Sequence, residues 1–244
     1  MARRLTSFLG AGVRRAFSRR GLDAIQFIVG LALLGWLDDL LSRFIAWGQV
    51  LALLARMIGV PPSELAEPTG ESGTDVGALI LGLMLGLWLL GLHRGMRRVG
   101  LAYLSILTTF LLARLVVMAL TLFGRTEGAF LLLDGVIMWL LVWLYFTLWY
   151  WQLDGGGPSW RARADGGRWE IAFPQLAEAY PGWTSWRPGL TEYLLLALSV
   201  SLTFSTSDGS VMLSRRMKWL LMTHMLTAAA ALIAVAGRAL NLAG

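Results

Sequence analysis

GLAYLSILTTFLLARLVVMALTLF at residues 100–123 and EGAFLLLDGVIMWLLVWLYFTLWY at 127–150 are separated by the turn Gly124-Arg125-Thr126-Glu127-Gly128. So short a connection dictates an antiparallel helical hairpin. Each run is long enough to cross the hydrocarbon core of a bilayer, which takes about 20 apolar residues. Working outward, further apolar runs lie at 22–59, 76–92, 190–205 and 217–240. With 57% hydrophobic and 15% charged residues in 244, and a mean hydropathy of +0.64, these segments would aggregate in water. The solvent is lipid. The expected fold is all-α, a polytopic transmembrane helix bundle of five long helices plus one short helix, spanning or re-entrant, at 190–205. Four parts follow from this: a basic arm at 1–21, a four-helix region at 22–150, a polar interfacial loop at 151–189, and a module at 190–244 made of the short helix, a Ser/Thr-rich turn and a final transmembrane helix.

Zero Cys excludes disulfides, thiolate metal sites and iron–sulfur clusters, and only His93 and His224 offer imidazole. No cofactor and no metal site is expected. The net charge of +6 would suggest nucleic acid in a soluble protein. Here the basic residues flank apolar spans, so the expected partner is the lipid bilayer, with no nucleic acid.

Charge also sets an expected topology. Arg3, Arg4, Arg14, Arg15, Arg19 and Arg20 precede Leu22 without an acid, and no small-residue cleavage site follows, so the arm is read as uncleaved and cytoplasmic. Phe8, Val13 and Phe17 interleave with these arginines, as in an interfacial helix or a disordered basic tail. The run 22–59 exceeds one crossing and is read as a tilted helix, with Asp39 and Arg43 paired at headgroup level. Residues 60–75 carry Glu64, Glu67, Glu71 and Asp75 without a base and are expected outside, whereas His93-Arg94-Gly95-Met96-Arg97-Arg98 is expected inside. This places the chain as a multi-pass protein of the cell membrane with its N-terminus in the cytoplasm.

Several residues stand out within the spans. Gly82-x-x-x-Gly86 smooths one helix face and is expected to pack inside the chain. Arg114 and Asp134 lie at equal depth on the hairpin, roughly 15 Å from its turn, and are expected to pair. Trp149, Tyr150 and Trp151 mark an interface, and Trp160, Trp169, Trp183 and Trp186 among arginines suit a loop lying on headgroups. His224 is the histidine inside a span, with Asp208 and Glu192 the acids best placed to meet it. The glycines after Asp154 follow a membrane helix and lack a phosphate-loop lysine, which excludes nucleotide binding.

The C-terminal part carries recognisable motifs. Trp149-Tyr150-Trp151-Gln152-Leu153-Asp154-Gly155-Gly156-Gly157-Pro158, Phe173-Pro174-Gln175, Glu192-Tyr193-Leu194, and Thr203-Phe204-Ser205-Thr206-Ser207-Asp208 before Arg215-Arg216 follow one another over roughly 143–242. Together they resemble a group of uncharacterised bacterial multi-pass membrane proteins, which implies a bacterial inner-membrane location and no particular activity. More distantly the layout is similar to the pore module of potassium-type channels, a short helix, a Ser/Thr-rich stretch and an inner helix. That resemblance puts Thr203, Ser205, Thr206, Ser207 and Asp208 at the filter. They lack the Gly-Tyr-Gly core whose carbonyls replace an ion's water, so potassium selectivity is not implied. A full crossing at 190–205 would put Arg215, Arg216 and Lys218 outside, against the charge rule, whereas a re-entrant one would not.

Two functions are expected from this. The first is a channel-like or transport-type membrane module of unknown substrate, working as a homo-oligomer. The second is a non-catalytic accessory or assembly subunit that binds unlike membrane proteins. No paired acids, histidine cluster or activated nucleophile points to an enzyme.

Overall fold

The computed structural model describes residues 19–42, 72–120, 130–157, 169–177, 186–206 and 209–243. They form six helices longer than one turn: α1 (Arg19–Ser42), α2 (Ser72–Leu89), α3 (His93–Leu120), α4 (Phe130–Leu153), α5 (Leu190–Thr203) and α6 (Arg215–Ala243). Two two-residue strands, β1 (Ile171–Ala172) and β2 (Val211–Met212), pair antiparallel with Ile171 opposite Met212. The all-α bundle is the one expected from the apolar runs. Four helices contain membrane-length segments, Gly21–Leu41, His93–Ala119, Leu133–Leu153 and Arg215–Gly237, and the apolar parts of α2 and α5 are shorter. This is an integral membrane protein. The second half of the 22–59 run, Arg43, most of the acidic 60–75 stretch and the hairpin turn lie outside the described residues.

Helix α4 is the axis. Apolar on nearly all sides, α4 buries 61% of its membrane-length segment against 28% for α1 and for α6. Tyr145, Phe146, Tyr150 and Trp151 are all buried on it. Phe27 of α1 meets Trp151 edge-on at 6.3 Å, and Gly135 of α4 backs onto Val235 of α6. The starts of α1, α3 and α6 thus gather at the C-terminal end of α4. This end is basic, because Arg94, Arg97, Arg98, Arg215, Arg216 and Lys218 all lie within the first turns of α3 and α6. The 93–98 cluster is therefore helical.

Gly82 and Gly86 have nothing within 4 Å among the described residues, so none of these packs on the face that the spacing predicted to be used inside the chain. The close approach is at Gly100, where a Cβ would sit 2.4 Å from the Phe27 ring and 2.8 Å from the Met84 methyl. α1, α2 and α3 pack tightly at that point because no side chain intervenes.

Arg114 is fully buried, and its Nη1 donates to Asp38 Oδ1 at 2.6 Å and to the Asp38 carbonyl at 3.1 Å. The carboxylate on Nη1 is that of Asp38 on α1, so this pair ties α3 to the first helix. Asp134 is itself buried, 1% exposed, on α4. Removing one member of a buried pair strands the other, at about 3–5 kcal/mol. Arg114→Leu should accordingly lower the detergent-solubilised melting temperature, and the Arg114→Leu/Asp38→Leu double variant should lose less than the sum of the single variants. Strict additivity in that cycle would mean that the two side chains do not interact.

Candidate functional site

Helix α4 ends at a short 3-10 turn, Asp154–Gly156, in which Gly155 takes φ 57° before Gly157 at φ 100°. Such backbone angles are strained for any residue with a side chain. The space beside Gly157 is filled by Arg97, whose guanidinium would lie 3.0 Å from a Cβ there. From α3, Arg97 donates to Gln152 Oε1 at 3.1 Å and to the Gln152 carbonyl at 2.6 Å, which anchors the end of α4.

Asp154 is 0% exposed. A carboxyl group withdrawn from water is tolerable only when protein donors replace its hydration. Oδ1 accepts the backbone N–H groups of Glu170 at 2.7 Å and Ile171 at 3.1 Å, while Oδ2 accepts the Tyr193 hydroxyl at 2.6 Å. One side chain therefore gathers the end of α4, the start of β1 and the first turn of α5. A second set of bonds adds α6. Arg216 forks onto the Glu170 carboxylate and donates to the Leu153 carbonyl at 2.8 Å. Ser214 donates to Glu170 Oε2 at 2.7 Å and accepts the Met217 N–H at 3.2 Å, capping α6. Phe173 packs edge-on against Tyr193 at 5.4 Å and against Trp186 at 6.1 Å.

The path of residues 190–214 follows from these anchors. α5 leaves the Asp154 knot at Tyr193 and runs along α4 towards its N-terminus, with Trp143 Nε1 donating to the Leu194 carbonyl at 2.9 Å. Deeper, Ser201 Oγ lies 2.9 Å from His224 Nε2, and His224 Nδ1 lies 3.2 Å from the Tyr150 hydroxyl. The imidazole stacks on Phe146 at 4.2 Å with the rings 4° from parallel. Phe204 then adopts the left-handed conformation, φ 54°, and ends the helix with its N–H on the Val200 carbonyl. Gly209 lies against Pro174, and β2 pairs with β1 beside Asp154. The segment therefore enters and leaves the bundle at the same end. Ten helical residues from Tyr193 to Thr203 descend about 15 Å, and the seven-residue return to Ser210, if extended, reaches about 23 Å. The connection is therefore long enough to make the return.

The residues singled out in the sequence fall in different places. Thr203 and Ser205 are exposed at the tip and Thr206 is half-buried, while Ser207 and Asp208 lie outside the described residues. The Thr203 hydroxyl donates to the Ser199 carbonyl at 2.8 Å and lies 2.9 Å from Ser205 Oγ. Glu192 does not meet His224. It accepts the Gly189 N–H at 2.6 Å and closes the first turn of α5. His224 is fully buried, and its partners among the described residues are hydroxyls. The cap of α6 is Ser214.

Asp154, Tyr193, Glu170, Arg97 and Ser201 carry this site, and composition or spacing singled out only Arg97, as one charge of the 93–98 cluster. The signal was in the motifs. The Trp-Tyr-Trp-x-x-Asp, Phe-Pro-Gln and acid-Tyr-Leu stretches, far apart in sequence, meet around Asp154. The chain matches no protein-family model, no curated protein and no solved structure.

A hydrogen bond to a charged group is worth about 1.5–3 kcal/mol, so Tyr193→Phe should lower the melting temperature clearly. Thr203→Ala, at an exposed position, should stay within about 0.5 kcal/mol of the parent. Equal melting of Tyr193→Phe and the parent would show that the Asp154 contact does not hold α5.

Proposed function

We propose that this integral membrane protein works as a pore-loop module, in which re-entrant α5 and the turn after it present the hydroxyls of Thr203, Ser205 and Thr206 to a cation path between copies of the chain. The observation that carries this reading is the course of 190–214, which dips into the bundle and returns with a hydroxyl-rich turn exposed at its tip. Two physical points support it. The C-terminal end of a helix carries partial negative charge, which favours a cation near the tip of α5. Hydroxyl and carboxylate oxygens in a water-filled constriction can replace part of an ion's hydration shell. A single copy leaves Thr203 and Ser205 open, so a symmetric oligomer is required to enclose a path.

The orientation belongs to the same proposal. With the basic starts of α3 and α6 at one end, the charge rule puts that end in the cytoplasm. α5 then dips in from the cytoplasmic side, opposite to a conventional potassium-type module. The local bonds of Thr203 favour a second reading, a structural cap in an accessory subunit of a larger membrane complex.

Reconstitution into liposomes under Na+, K+ and H+ gradients separates the two. The pore reading expects flux from the parent, and changed flux in Thr206→Ala and Asp208→Asn at nearly unchanged melting temperature. A folded parent that passes none of the three ions, with variants that lose about 0.5–2 kcal/mol of stability as lost caps do, would leave the accessory-subunit reading.

A further inference from the structure

The first two turns of α6 carry a groove of about 380 Å³ lined by Arg215, Lys218, Trp219 and Met222. These positions are spaced i, i+3, i+4 and i+7 and so share one helix face. The groove lies on a different face from the Asp154 knot. Neighbouring Arg216 is spent on Glu170, whereas among the described residues neither Arg215 nor Lys218 forms an ion pair or a side-chain hydrogen bond. Both are exposed. Below them the surface turns mainly apolar, since Trp219 is 67% and Met222 51% exposed, the Thr223 hydroxyl is turned back onto the Trp219 carbonyl, and Leu226 and Ile233 continue the stripe one heptad apart.

We propose that this groove is a binding site for an anionic phospholipid, with the headgroup phosphate between Arg215 and Lys218 and an acyl chain along Trp219, Met222 and Leu226. Depth agrees with the chemistry. α6 has 29 residues, about 43 Å of helix, which exceeds a hydrocarbon core of about 30 Å and leaves its first turn at headgroup level. Trp219 comes next, where indoles favour the membrane interface. Two unpaired cations above an apolar floor complement a charge carried on two hydrocarbon tails. A soluble anion would leave that floor uncovered. Because Arg216 and Ser214 of the same turn hold Glu170, a lipid seated here would also bear on the anchor of the re-entrant segment. The assignment does not depend on whether that segment conducts.

The test is native mass spectrometry of the delipidated full chain titrated with phosphatidylglycerol, with phosphatidylcholine, and with phosphatidylglycerol in the presence of millimolar inorganic phosphate. The parent should prefer phosphatidylglycerol. Each of Arg215→Gln and Lys218→Gln should weaken it roughly fivefold, and the double variant about twenty-five-fold. Arg94→Gln/Arg98→Gln, which removes two exposed charges from the same end of the bundle, should leave the preference intact. Should the double Arg215/Lys218 variant fold poorly, the single Lys218→Gln variant carries the comparison, with its melting curve as control. Equal affinity for the two lipids, equal loss in both double variants, or displacement of the lipid by inorganic phosphate would each overturn the assignment.

Discussion

A buried carboxyl group must be surrounded by donors, and Asp154, at the end of α4, meets that requirement by drawing on two other segments at once. The donors are two backbone amides at the start of β1 and the hydroxyl of Tyr193 on α5. Most of the architecture at the basic end follows from that demand. The glycines after Asp154 let the chain turn tightly under Arg97, the amides bring β1 close enough to pair with β2, and β2 delivers the start of α6. Since α5 begins and β2 ends at the same knot, whatever lies between them must go in and come back.

Lipid imposes the complementary constraint farther in. With no water to receive them, polar groups have to find each other. Arg114 and Asp38 do so between α3 and α1, and Ser201, His224 and Tyr150 do so between α5, α6 and α4. The second cluster holds the deep part of α5, while the Asp154 knot holds its entrance. The tip at Thr203–Thr206 has only local contacts among the described residues, so its hydroxyls keep the freedom to face another copy, an ion or water.

The apolar runs made the helices legible because length and hydropathy are properties of single segments. The basic clusters were equally readable, and the charge rule favoured a return over a crossing for 190–208. What stayed hidden depends on which helices are neighbours. Arg114 stood out as a charge inside an apolar run, but the run does not say that α1 stands beside α3, and so Asp38 was missed. Glu192 looked like a partner for His224 until the direction of α5 put it at the far end of the helix. The face at Gly82 and Gly86, on which no described residue packs, and the tight contact at Gly100 have the same local appearance, an apolar helix with glycine. Asp154 was visible only as part of a motif, because nothing in its local sequence announces that Tyr193 and Ile171 converge on it.

A chain without cysteine allows the re-entrant course to be tested directly. Single Thr191→Cys, Leu213→Cys and Arg94→Cys variants, all at exposed positions, can be exposed to a membrane-impermeant maleimide in sealed, oriented vesicles. Labelling of all three from one face of the membrane is the result required if residues 190–214 enter and leave at the basic end. Labelling of Thr191→Cys and Leu213→Cys from opposite faces would make α5 a full crossing and contradict the account.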